Sequence, residues 1–251
     1  SVFTISGNLE EIVTEPSRLA VTMELTGKKI LVIGASGALG SEAVKQLRQH
    51  GAEVMGTASS NDTAAKIPHG TEVRLLLDLT EPESITTLTD YLNAASEVDG
   101  VIIAAGVVAF GPASELEAET ISRLMKINAQ GPIQLLSQLH PVLKRSAETG
   151  KEPFVVNITG VVAETPLPNL AAYSGSKTAV HGFLAGLTRE WRRDGIRVIS
   201  ACPGHTETGL ANRAIQGEAP NFPQGYSAEQ VISRIIDAVI NDEKELPATA
   251  F

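Results

Sequence analysis

The sequence predicts a single doubly wound α/β domain, a parallel sheet of six or seven strands with helices on both faces. Three observations carry this. After Met23, short β-branched apolar runs alternate with longer amphipathic stretches, the pattern of repeated β-α-β units. The short runs are mostly continuous apolar stretches, as strands buried on both faces should be. The 251 residues are 43% hydrophobic and 20% charged, which suits one domain around one sizeable core.

The strands are expected at Lys29 to Ile33, Glu53 to Thr57, Val73 to Leu77, Gly100 to Ala104, Phe154 to Ile158 and Arg197 to Ala201. Helices are expected at Ala38 to His50, Glu83 to Ala95, Glu115 to Ser146, Leu170 to Arg193 and Ala228 to Asn241, several opened by Ser or Pro near the first turn. Residues 1–22 carry Gly7, Pro16 and several acids ahead of Met23, and read as an N-terminal extension, disordered or a tag, before a domain over 23–251. The stretch from Gly209 to Gly225 contains Pro and Gly without periodicity and is expected to form a mobile substrate lid.

Composition argues against several functions. The formal net charge is −9 with no long cationic run, so a nucleic-acid backbone would meet net repulsion. Cys202 is the only cysteine, so no internal disulfide forms, and no Cys and His pair has zinc-ligand spacing; no metal is expected. No apolar run reaches the roughly 18 residues of a membrane span, and a cytoplasmic location is the expectation.

Chemistry enters at the end of the first strand. In "ILVIGASGALGSEAV" the chain passes through Gly34, Gly37 and Gly40 into a helix. Bare backbone there lets a pyrophosphate approach, and the helix N-terminus favours its charge; the plainer alternative is a tight strand-to-helix turn. A carboxylate at the end of the second strand would hold both ribose hydroxyls of NAD, but "MGTASSND" offers Ala58, Ser59 and Ser60 there. That absence leans towards NADP(H). NAD(H) stays admissible, because no Arg or Lys in the turn pairs the extra phosphate, and Ser59 and Ser60 are ordinary turn residues as well. Asp78 closes the third strand in "LLLDLT", where it either accepts from an adenine amino group or caps the next helix.

Tyr173 and Lys177 stand four apart on an expected helix, so both side chains share a face and reach one bound molecule. A cation there is expected to lower the tyrosine pKa from about 10 towards working pH. Alone, such a pair is equally a surface contact.

The company of other motifs decides. "GASGALG", "DLT", "AAG", "INAQGP", "VVNITG", "YSGSK" and "ACPGHTET" follow in that order, and from Leu25 to about Leu246 the chain resembles the short-chain dehydrogenases/reductases (SDR). The resemblance implies a Rossmann-like fold, a nicotinamide cofactor and a small-molecule carbonyl or alcohol substrate. It implies Tyr173 as general acid/base, Lys177 on the nicotinamide ribose and Asn128 holding a water in the proton relay. It implies cofactor contacts from Gly34, Ser36, Gly37, Leu39 and Gly40, from Ser59, Ser60, Asp78 and Leu79, from Ala105 and Gly106, and from Pro203, Gly204, Thr206 and Thr208. A homodimer or homotetramer is the assembly it admits. His205 either faces the substrate or is a surface histidine, and is assigned no catalytic role.

The chain departs from the family where its carbonyl-polarising Ser falls at Gly160. Thr159 is the nearest hydroxyl, but neighbours at a strand end point to opposite faces, so it substitutes only if a bulge or turn re-aims it. Losing one preorganised donor costs about 10²–10³ in rate. Two readings follow: an SDR-like oxidoreductase in which Thr159, Ser174, Thr165 or a water compensates, or an SDR-fold nucleotide-binding or scaffold protein with weakened or lost catalysis. Ala104 stands where the family has Asn, and the "ELPATAF" ending points to a short or missing seventh strand. Phe110, Leu167, Leu210, Ile215 and Phe222 are expected either around an apolar substrate pocket or in the core.

Overall fold

A computed structural model describes residues 22–251. The expected extension over 1–22 lies, apart from Thr22, outside the described residues. Strands form at all six expected places: β1 (Lys29–Ile33), β2 (Glu53–Ala58), β3 (Val73–Leu76), β4 (Gly100–Ile103), β5 (Phe154–Ile158) and β6 (Arg197–Ala201). All pair in parallel in the order β3-β2-β1-β4-β5-β6. The order reverses between β1 and β4, so the loops leaving those two strands run to opposite sides and open a crevice beyond their C-terminal ends.

The helices are α1 (Ala38–Gln49), α2 (Asn61–Ala64), α3 (Pro82–Ala95), α4 (Ala118–Met125), α5 (Gly131–Glu148), α6 (Ala171–Trp191) and α7 (Ala228–Ile240). Alternation along β1 divides the core in two. Ile30 and Val32 pack with Ala43, Val44 and Leu47 of α1 and Ile232, Ile235 and Ile236 of α7. Leu31 and Ile33 face the other way, onto Leu88 and Leu92 of α3, Leu135 and Leu139 of α5 and Leu184 of α6. Each such side chain contributes about 1.5–3 kcal/mol when fully buried, so the sheet is held from both faces.

The long helix expected from Glu115 to Ser146 breaks into α4, a π-helical turn at Lys126–Gln130, and α5. Pro132 supplies the reason: it has no N–H, so the Asn128 carbonyl four residues earlier loses its α-helical donor and the turn widens. Gly131 lets this turn close on the sheet, since a Cβ there would lie 2.7 Å from the Leu79 carbonyl oxygen. The short α2 is not among the expected helices. Ser60 and Thr63 cap it reciprocally, each side chain bonding the other's backbone N–H.

The expected seventh strand reduces to one parallel bridge, Ala201 to Leu246, with Cys202 N donating to Leu246 O at 2.9 Å. Among the described residues no helix is long and apolar enough to cross a membrane, and no group of three or more His, Cys, Asp or Glu is placed to hold a metal.

Candidate active site

The crevice at the β1–β4 reversal is a cavity of about 580 Å³, within the usual range for small-molecule sites. Its floor is the glycine turn, and the three glycines there differ in purpose. Gly34 has φ +80°, and a Cβ on it would lie 2.9 Å from Ala105 N; its own N–H donates to Thr57 Oγ1 at 3.1 Å. A Cβ on Gly40 would come within 1.9 Å of the Gly34 carbonyl oxygen, so Gly40 lets the helix start pack beneath the turn without lining the cavity. Gly37 is under no such pressure, since a Cβ there meets nothing nearer than 3.5 Å. Gly37 does line the cavity, beside Ser36 and Leu39, which is where a ligand rather than the protein would demand bare backbone.

The ends of β2 and β3 form the next wall. Ser59 lines the cavity, whereas Ser60 does not, its hydroxyl being engaged in capping α2. Asp78 and Leu79 also line it. Asp78 Oδ1 accepts from Thr80 N at 2.9 Å and Thr80 Oγ1 at 2.6 Å, closing the turn before α3. Its other oxygen has no hydrogen-bond partner among the described residues, so the local turn and a ligand contact are compatible uses.

Tyr173 and Lys177 meet at the far end as their spacing predicts. Lys177 Nζ lies 5.9 Å from the Tyr173 ring centroid and donates to the Ile158 carbonyl at 3.3 Å. Burial pushes the Lys177 ammonium down to about 8 and the Tyr173 phenol up to about 12. The expected depression of the tyrosine pKa is therefore not produced by the chain alone, because desolvation disfavours the phenolate more than the neighbouring lysine stabilises it. Gly106 admits this arrangement: a Cβ on it would stand 3.3 Å from both Lys177 Nζ and Asn128 Oδ1. Asn128 is buried, and its side chain clamps Val107, accepting from Val107 N at 2.9 Å and donating to Val107 O at 2.8 Å and Ser176 Oγ at 3.0 Å. Asn128 is not on the cavity wall, and its main-chain carbonyl lacks an α-helical donor because of Pro132.

At the end of β5, Thr159 and Gly160 both line the cavity. Thr159 and Gly160 both donate their N–H to the Ala201 carbonyl, at 2.7 and 3.1 Å, a bulge-like pairing of two residues against one. The bulge does not bring the Thr159 hydroxyl to the phenol. Its Oγ1 accepts from Asn157 Nδ2 at 2.9 Å and pairs with Ser200 Oγ at 2.8 Å, and Ser200 in turn meets His181 Nδ1 at 2.8 Å. Gly160 turns away at φ +95° with open space where a side chain would stand. Of the other suggested donors, Ser174 is buried with its Oγ towards Leu167 N, and neither it nor Thr165 lines the cavity.

The chain after β6 closes the cavity with Pro203, Gly204, His205, Thr206 and Thr208. Thr206 Oγ1 donates to Gly204 O at 3.0 Å, and Thr208 Oγ1 accepts from Leu210 N at 3.3 Å. The middle of the 209–225 stretch is tied to the loop after β4, Phe110 N donating to Gln216 O and Ile215 N to Val108 O, each at 2.9 Å, and just beyond the stretch Tyr226 N donates to His205 O at 2.9 Å. His205 is no bare surface histidine, since its ring stacks on Phe222 at 4.6 Å and its Nε2 meets Glu207 Oε1 at 3.2 Å. Phe110, Leu167, Leu210 and Phe222 line the cavity, and Ile215 does not.

Two charged cavity residues had no signal in the sequence. Arg123, on the exposed face of α4, and Arg213, in the stretch after Thr208, both line the cavity. Each is an arginine among mostly apolar neighbours, in "ISRLMK" and "LANRAI", and only the tertiary placement of α4 and of the 209–225 stretch brings them to the cavity.

A parallel sheet of this order, with a glycine turn and a Tyr-Lys pair opening on one cavity, defines a dinucleotide-dependent oxidoreductase class. Residues 28–219 match the family model for short chain dehydrogenase, and the chain belongs to that family of NAD(P)-dependent oxidoreductases. It is 29% identical over 184 residues, 73% of this chain and 75% of the relative, to the cyclic-di-GMP-binding biofilm dispersal mediator protein of Escherichia coli. It is 29% identical over 252 residues, 97% of this chain and 78% of the relative, to the NADPH-dependent 1-acyldihydroxyacetone phosphate reductase of Saccharomyces cerevisiae. A Burkholderia cenocepacia short chain dehydrogenase in complex with NADP superposes with a TM-score of 0.78 at 22% identity, covering 91% of each chain. The 3-ketoacyl-(acyl-carrier-protein) reductase of Brucella melitensis complexed with NADH gives 0.79 at 20%, covering 89% of this chain and 97% of that one.

Proposed function

We propose that this chain is an NADP(H)-preferring reductase or alcohol dehydrogenase, moving hydride between nicotinamide and a carbonyl or secondary alcohol while Tyr173 transfers the proton. The observation that carries this is the convergence of the glycine turn and the Tyr173–Lys177 pair on a single cavity. The residues fit a dinucleotide: Gly37 is bare where packing does not require it, α1 points its N-terminus at the same place, and Ser59 rather than an acid closes β2. Gly34, Ser36, Gly37 and Leu39 would hold the pyrophosphate, Ser59, Asp78 and Leu79 the adenosine, and Ala105, Gly106, Pro203, Gly204, Thr206 and Thr208 the nicotinamide half. When bound, the nicotinamide supplies or accepts the hydride.

The chain's own part is the proton. With its phenol held at about 12, Tyr173 stays protonated at neutral pH and is ready to donate to a carbonyl oxygen. Lys177, at about 8, is mostly cationic there and stabilises the phenolate left behind. The Asn128 carbonyl offers a seat for the water that returns the proton. NADP(H) over NAD(H) is supported by the missing acid after β2 and by the NADP and NADPH named for two relatives; the Brucella reductase was seen with NADH. A panel of ketones, aldehydes and secondary alcohols with each cofactor tests the proposal. Turnover that Tyr173→Phe lowers by at least about 10²-fold is the expected result, and no turnover with either cofactor would sink it.

A second reading has an observation of its own. With Gly160 bare and the Thr159 hydroxyl bonded to Asn157 and Ser200, no side chain from the end of β5 polarises a carbonyl beside Tyr173. The protein would then bind the dinucleotide as a sensor or scaffold with weak or no chemistry. Tight NADPH binding without Tyr173-dependent turnover would select this reading.

A further inference from the structure

The lid end of the cavity carries a cation that the fold itself does not use. Arg213 ends a short turn at Ala211–Arg213 and lines the cavity, and among the described residues its guanidinium has neither an ion-pair nor a hydrogen-bond partner. Arg197 bonds the Ala238, Val239 and Glu243 carbonyls, and Arg234 holds Glu243; Arg123, Arg189, Arg192 and Arg193 are, like Arg213, without such partners among the described residues, but of these four Arg123 alone also lines the cavity. The surroundings of Arg213 are selected for charge as well. The chain has 29 acids against 20 Lys and Arg, yet Asp78, beyond β3, is the one carboxylate residue on the cavity wall. Neither Glu207 nor Glu218, the acids nearest Arg213 along the chain, lines the cavity, and Glu207 is turned to His205 and to the Gly225 N–H at 2.9 Å. Between Arg213 and the phenol the wall is apolar, since Tyr173, Leu210 and Phe222 pack on one cluster built around Phe110.

We infer that Arg213 reads an anionic group, carboxylate or phosphate, on a carbonyl substrate whose reacting carbon lies at Tyr173. The inference rests on the reductase reading above and names its substrate class. The segment between the two ends of such a substrate lies along Phe110, Leu210 and Phe222. A guanidinium fork matches either anion bidentately, and Arg213, itself exposed, is open to an entering ligand. The cofactor's pyrophosphate is served from the opposite side, by the glycine turn and the start of α1, so it does not call for Arg213.

The test uses matched pairs: 4-oxopentanoate against its methyl ester, and dihydroxyacetone phosphate against dihydroxyacetone, each reduced with NADPH. The intact protein is expected to prefer the anionic member of at least one pair by about 10–100-fold in kcat/KM, the worth of a hydrogen-bonded charge; which pair responds distinguishes carboxylate from phosphate. Arg213→Gln should collapse that ratio through KM, and Arg213→Lys should restore part of it, while the Kd for NADPH, measured by its fluorescence, holds. Equal loss on both members of a pair, or an equal loss in NADPH affinity, would assign Arg213 to the cofactor and overturn the inference. Absence of any anion preference alongside Tyr173-dependent turnover of the neutral ketones would overturn it and leave the reductase reading standing. Should nothing turn over, calorimetry of 4-oxopentanoate and of glycerol 3-phosphate binding to the NADP-loaded protein decides: weakening by Arg213→Gln sustains the anion site, and binding indifferent to it removes the site.

Discussion

Placing a side chain at position 160 tests the local geometry directly. Gly160 sits at φ +95°, ψ +155°, in a region that residues with a Cβ occupy only at a cost of about 1–3 kcal/mol. No clash adds to this, because a Cβ there meets nothing within 4 Å. Gly160→Ala and Gly160→Ser should therefore lose the same stability, and at about 2–4 °C per kcal/mol for a domain of this size both should melt about 2–12 °C below the parent. The serine restores the family's residue type in a backbone shaped for glycine, with the Gly160 N–H bound to Ala201 O, so its hydroxyl is not delivered to Tyr173 without that loop refolding. Thermal unfolding by circular dichroism, with ketone turnover measured on the same samples, reads both effects. The reasoning fails if Gly160→Ser melts with the parent and turns over about 10²–10³ faster, the worth of one well-placed donor.

Two further outcomes follow from the same site. Between about 8 and 10.5, where the unfolded chain binds more protons at Lys177 than the folded one, stability due to this residue rises with pH. The stability difference between the parent and Lys177→Met should thus shift in the parent's favour by about 3 kcal/mol from pH 7 to 10.5, measured by urea unfolding; a difference that ignores pH would show that the lysine is not desolvated. The glycine turn separates fold from ligand. Gly40→Ala should depress the melting temperature sharply, given the 1.9 Å approach to Gly34 O. Gly37→Ala should leave melting near the parent's while weakening NADPH binding, and the reverse pattern would remove the cofactor from this turn.

The sequence was most legible where one physical pattern dominates. Largely apolar runs located all six strands within a residue or so, because strands covered on both faces dispense with polar alternation; the edge strand β3, VRLL, alternates between half-buried and exposed. The Tyr173–Lys177 pair was legible because helical geometry alone puts i and i+4 on one face. Where two elements compete for a residue, the sequence left alternatives open. Ser60 was available to ligand or to helix and went to the cap of α2. Thr159 was available to substrate or to the sheet and went to Asn157 and Ser200, since a buried hydroxyl takes the partner the fold brings nearest. The break in the long central helix was written in Gly131 and Pro132, yet its consequence depended on how closely the turn could approach Leu79.

By itself, then, the sequence determined the sheet, the glycine turn, the Tyr-Lys pair and the missing serine, all of which follow from local periodicity or from the identity of single residues. Tertiary structure alone decided that the Thr159 hydroxyl is spent elsewhere, that burial drives the Tyr173 phenol up to about 12, and that Arg123 and Arg213 stand on the cavity wall. These depend on which surfaces meet after the chain has crossed the sheet several times, and hydrogen-bond partners, desolvation and charge are set by those meetings rather than by neighbours in sequence.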